Sequence, residues 1–82
     1  MEYPNKRSVV EITLDSVYEI NHILEGKSDS SLNEKKDCVK RNVGHLEIVK
    51  GGSYIDLSQF SAAQIAEIDE AISKGNSYIS SL

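Results

Sequence analysis

No stretch of this chain holds more than two apolar residues in succession, as at Val9-Val10 and Ile48-Val49. Apolar side chains that never run together reach a common interior only through the periodicity of a helix or a strand, so their spacing decides the fold. The same feature excludes a bilayer-spanning helix, which needs about 20 consecutive apolar residues.

Most of the spacing is helical. From Thr13 or Asp15 onward, Val17, Ile20 and Leu24 recur at three and four residues, while Asp15, Glu19, His22 and Glu25 fall on the other side. That pattern predicts an amphipathic helix ending at Gly26. Ser31-Leu32-Asn33-Glu34 has the form of a capping box, in which the serine oxygen and the Glu34 carboxylate satisfy backbone N–H groups at a helix start. In the helix it opens, Leu32, Val39, Val43 and Leu46 cluster within about 60° of arc, flanked by Cys38, Asn42 and Val49. This face is expected to be core or subunit interface. Ser61-Ala62-Ala63-Gln64 repeats the box, and Ile65, Ile68, Ala71 and Ile72 line one face opposite Glu67, Glu70 and Lys74. A third helix is predicted to stop at Gly75, leaving a tail whose Tyr78, Ile79 and Leu82 dock onto a neighbour.

Two segments favour strands. Val10, Ile12 and Leu14 alternate as on a half-buried strand, and Tyr54-Ile55-Asp56-Leu57 is a second β-favouring patch, or else a packed loop. The expected fold is mainly α: a three-helix small domain with one or two short β-strands near residues 9–14 and 53–57. The 82 residues fit a single domain, 1–82, with an N-terminal arm over 1–8 and connecting loops at 26–31 and 51–60.

Three residues inside the predicted helices break local rules. Gly44 costs about 1 kcal/mol relative to alanine, and close approach of another backbone is the simplest reason for it. Asn21 and Asn42 lie at or near the apolar arcs, where an amide needs a partner. They are read as fixing register in a helical assembly, with ligand contact as the other reading.

A core with one Phe and no Trp in so short a chain is marginal alone, so a homo-oligomer is expected, through faces containing Val39, Val43 and Leu46 or Ile65 and Ile72. The net charge of -4 argues against duplex nucleic acid as a partner. The one concentration of cations is Lys35, Lys36, Lys40 and Arg41. With Asn42, His45 and Tyr54, the pair Lys40 and Arg41 forms the candidate ligand set for a small anion such as a nucleotide signal, because charge-assisted bonds and an aromatic face suit phosphates and bases. Within one helix Arg41 and His45 lie on one side and Lys36 and Lys40 on another, so such a site needs a second helix or subunit.

Catalytic and metal constellations are not found in the spacing. Cys38 and His45 stand about 10 Å apart along a single helix, beyond the reach of a nucleophile and base pair. Cys38, His22 and His45 have no metal-ligand spacing, His45-Leu46-Glu47 lacks the second histidine of a zinc protease motif, and Lys50-Gly51-Gly52-Ser53 is not a P-loop. The expectation is therefore no enzyme, no catalytic residue, no metal and no cofactor. Cys38 cannot form a disulfide within the chain, and the opening residues Met1 to Arg7 show no signal-peptide pattern, which fits a reducing cytoplasm.

Three motifs, Ile12-Thr13-Leu14 leading into Tyr18-Glu19-Ile20-Asn21-His22-Ile23-Leu24, then Arg41-Asn42-Val43-Gly44-His45-Leu46-Glu47, then Ala71-Ile72-Ser73-Lys74-Gly75, resemble small uncharacterised proteins of tailed bacteriophages over residues 9–79. The resemblance carries no catalytic residues. It implies a phage accessory protein made in the cytoplasm of an infected bacterial host, or a minor virion component. The expected function is non-enzymatic binding that blocks or sequesters a host component, either a defence protein or a small anionic nucleotide signal. The alternative is a virion or assembly protein whose role is packing alone.

Overall fold

The computed structural model describes residues 8–52 and 56–81, and its regular elements are three α-helices and one short 3-10 turn. Helix α1 spans Val9–Leu24, α2 Leu32–Lys50 and α3 Ala62–Ser80, with the turn at Leu57–Gln59 ahead of α3.

Each helix starts in the same way. The hydroxyl oxygens of Ser8, Ser31 and Ser61 accept from the backbone N–H of Glu11, Glu34 and Gln64, whose side chains accept from the serine N–H in return. Such a cap contributes typically about 1 kcal/mol and fixes the first residue of the helix. The boxes at Ser31 and Ser61 stand where the sequence places them. The third, at Ser8, corrects the expected strand near residues 9–14: Val10, Ile12 and Leu14 belong to α1, which starts before Thr13 or Asp15. Helical periodicity wins because Thr13, Val17 and Ile20 then share one buried face, an arrangement an alternating strand would split. The second expected strand, 53–57, is not seen either. Ser53, Tyr54 and Ile55 lie outside the described residues, while Asp56 caps the 3-10 turn with its Oδ1 accepting from Ser58 N–H at 2.9 Å. No strand is present among the described residues.

Helix α1 ends as predicted, in a Schellman motif. Gly26 takes φ +77°, its N–H donates to the Ile23 carbonyl at 3.0 Å, and Lys27 N–H donates to His22 at 3.1 Å. Only a residue without a Cβ adopts that φ at no steric cost, and the turn aims the chain back towards α2.

The core lies where the three helices meet. Ile20 and Ile23 from α1, Val39, Val43, Leu46 and Val49 from α2, and Ile68 and Ala71 from α3 are buried together with Val17 and Phe60. Full burial of Ile20, Leu46 and Ile68 supplies about 1.5 to 3 kcal/mol each. Phe60 pins the link between α2 and α3 onto this cluster, with Leu57 beside it.

Helices α2 and α3 run antiparallel: Lys50 Nζ pairs with Asp69 at 3.1 Å, whereas Val39 and Val43 lie opposite Gly75. At that crossing the absence of a side chain on Gly75 is required. A Cβ built there would collide with Val43 Cγ2, come within 3.3 Å of Val39 Cγ1 and reach 3.8 Å from Ile20 Cγ2. The expectation for Gly75 is thereby corrected. Gly75 is the packing glycine and does not stop α3, which continues to Ser80 and carries half-buried Tyr78 and Ile79 against the core. At Gly44, by contrast, a Cβ would meet no atom of the described residues within 4 Å. Leu32, expected on the apolar arc of α2, is instead 60% exposed, because the first turn of α2 projects beyond the other helices' cover.

Candidate functional site

Helix α2 carries most of the side chains singled out by the sequence, and its geometry separates them. Its inward face is Val39, Val43, Leu46 and Val49, each at most 3% exposed. Val39, Val43 and Leu46 are consumed in the core of one chain and offer no area to a second, whereas Ile65 and Ile72 stand half-buried along α3, packed against that core.

The described members of the candidate ligand set do not converge on one side of α2. Lys40 and Arg41 are exposed, Asn42 and His45 half-buried, and Tyr54 lies outside the described residues. At 100° per residue Lys40 points to one side of α2, while Asn42 and His45 point to the other with Cys38. Asn42 is also engaged: its Nδ2 donates to the Cys38 carbonyl at 2.8 Å and lies 3.3 Å from Cys38 Sγ. The amide nitrogen is therefore engaged within its own helix. Cys38 is a free thiol packed at the edge of the core. No cavity opens among the described residues, and no three of their His, Cys, Asp or Glu side chains are grouped to hold a metal ion. No described helix is long and apolar enough to cross a membrane.

What the surface does present is apolar and aromatic. Ile12 is 45% exposed, Tyr18 63% and Ile48 62%, and Leu32 is exposed as well. On α1, Tyr18 stacks on His22 with ring centroids 5.7 Å apart and an interplanar angle of 25°. Between Tyr18 and Ile12 around the helix lie Glu11, Asp15, Glu19 and His22, so this outer face is an acidic ridge with an apolar residue along each edge. Sequence reading passes over the ridge because an acidic face opposite a core is the ordinary solvated arrangement. The signal available was Tyr18, a large amphipathic ring on the wrong side of an otherwise polar arc.

Two ordinary carboxylates are tuned by backbone donors. The Ser31 N–H holds Glu34 below the usual carboxylate range, and the Ser58 N–H does the same for Asp56, since each hydrogen bond favours the charged form. Both are caps, remote from the ridge in sequence and in role. Glu70 and Lys74, in the favourable i,i+4 order on α3, close at 3.0 Å, while Asp37 and Arg41, in the same order on α2, form no ion pair.

Compared with protein-family models, curated proteins and solved structures, the chain matches none.

Proposed function

We propose that the protein is a non-enzymatic binding module whose outer α1 face meets a cationic surface on another macromolecule. The observation that carries this reading is the exposure of Tyr18 and Ile12 on either edge of Glu11, Asp15 and Glu19, on a helix whose opposite side already completes the core. Tyrosine and isoleucine at the edges provide area to bury, and the carboxylates provide orientation and a faster encounter with Lys- or Arg-bearing partners. The phage resemblance supplies the setting: an accessory protein that binds and blocks a component of the bacterial host.

The test is affinity capture of the full chain from host cells with cross-linking and mass spectrometry, run beside a Tyr18→Ala/Ile12→Ser variant. Both side chains are largely outside the core, so the variant keeps its helices. The expected result is one basic partner captured by the native chain, lost in the variant and weakened by salt. Equal capture by both proteins would overturn the α1 assignment, and stoichiometric recovery in purified phage particles would replace the host-directed role with a structural one.

A further inference from the structure

We propose that two copies of the chain associate through the outer face of α2, with Ile48 of each copy seated on Gly44 of the other. Among the described residues nothing in the same chain requires a glycine at position 44. Its φ is not in the left-handed region, and a Cβ there would meet no atom within 4 Å, yet glycine in a helix interior costs about 1 kcal/mol relative to alanine. One turn onward Ile48 is 62% exposed, on the side of α2 directly opposite Val39. A knob and a notch four residues apart on one helix complement each other in a single orientation. When a second α2 runs antiparallel about a twofold axis at the level of Leu46, residue 48 of each helix faces residue 44 of the other. In a parallel pair the knobs would meet each other.

Charge favours the same orientation. The two helix dipoles are then opposed, and Arg41, exposed and in no ion pair among the described residues, reaches the C-terminal turn of the other α2, where the last carbonyls carry negative partial charge. A single helix crossing covers less than the about 800 Å² per partner typical of stable complexes, so the pair forms only at high protein concentration. This face is separate from the acidic ridge on α1 and stands whether or not that ridge binds a host component.

Sedimentation equilibrium on the full chain, from micromolar to millimolar concentration, tests the proposal. The weight-average mass is expected to climb from 9.1 kDa towards twice that value. Ile48→Glu and Gly44→Leu are each expected to hold it at the monomer value with the helical circular dichroism intact. Gly44→Leu raises helix propensity and points into open space, so its loss of association would not come from unfolding. A strict monomer at millimolar concentration, or association unchanged in both variants, overturns the proposal.

Discussion

Gly75 on α3 and Val43 on α2 are in such close register that no side chain larger than hydrogen fits between them. Val39 on α2 and Ile20 on α1 stand beside the same point, so side chains of two helices meet the third where one methyl group is missing. Gly75→Ala is expected to destabilise the protein by up to about 2 kcal/mol, since overpacking costs about 1 to 3 and the gain in helix propensity offsets about 1. Urea unfolding followed by circular dichroism checks this; an unchanged midpoint would mean that the crossing relaxes freely.

The opposite sign is expected at Gly44. With open space where a Cβ would stand, Gly44→Ala is expected to stabilise the monomer by about 0.5 to 1 kcal/mol in the same assay at micromolar concentration. The two glycines thus make an internal control, with the same substitution on neighbouring helices and opposite outcomes.

Ser8→Ala removes the acceptor that receives Glu11 N–H at 3.1 Å and leaves the start of α1 uncapped. A loss of about 1 kcal/mol is expected, together with faster amide hydrogen exchange in the first turn of α1 and unchanged exchange in α3. Slow exchange persisting at Glu11 would show that packing of Val9 and Val10 holds the turn without the cap.

Acid should weaken the protein through Glu34 and Asp56. Both have folded-state pKa values below their unfolded ones, so each contributes stability that is complete above the unfolded value and is lost as pH falls through the folded one. The expected signature is a decline in melting temperature between about pH 5 and pH 3, in the range where ordinary carboxylates titrate. Glu34→Gln, which keeps an acceptor for the Ser31 N–H, is expected to flatten part of that decline. A slope identical to that of the native chain would assign the acid sensitivity to other carboxylates.

Leu46→Ala is expected to cost about 2 to 5 kcal/mol, enough to unfold much of so small a domain, because Leu46 is fully buried within one chain. Thermal melts at several protein concentrations check the assignment: a side chain lying between subunits would show a concentration-dependent loss.

The sequence makes α2, the start of α3 and the end of α1 legible because each is announced by a local chemical device: Ser31 with Glu34, Ser61 with Gln64, and Gly26 at positive φ. Ser8-Val9-Val10-Glu11 has the same form, yet the β-branched alternation around it reads as a strand. The contest is decided only when Thr13 turns inward, its hydroxyl donating to the Val9 carbonyl at 2.7 Å. Gly75, expected to stop α3, is a packing glycine for a reason the sequence does not show: a glycine's purpose depends on what lies across from it, and the facing atoms belong to Ile20, Val39 and Val43, remote in sequence. The ligand set around Lys40, Arg41, Asn42 and His45 is contiguous along the chain but divergent around the helix axis. The exposed Tyr18 and Ile48 become conspicuous only once the core is seen to be full without them.

With a serine-glutamate or serine-glutamine latch at the head of every helix, the boundaries of α1, α2 and α3 are written locally, before any long-range contact exists. What remains is for three segments so delimited to find the one alignment in which the bare backbone at residue 75 slides beneath its valine neighbours. With most of its contacts local to one helix or to the next, such a chain is expected to fold within microseconds to milliseconds.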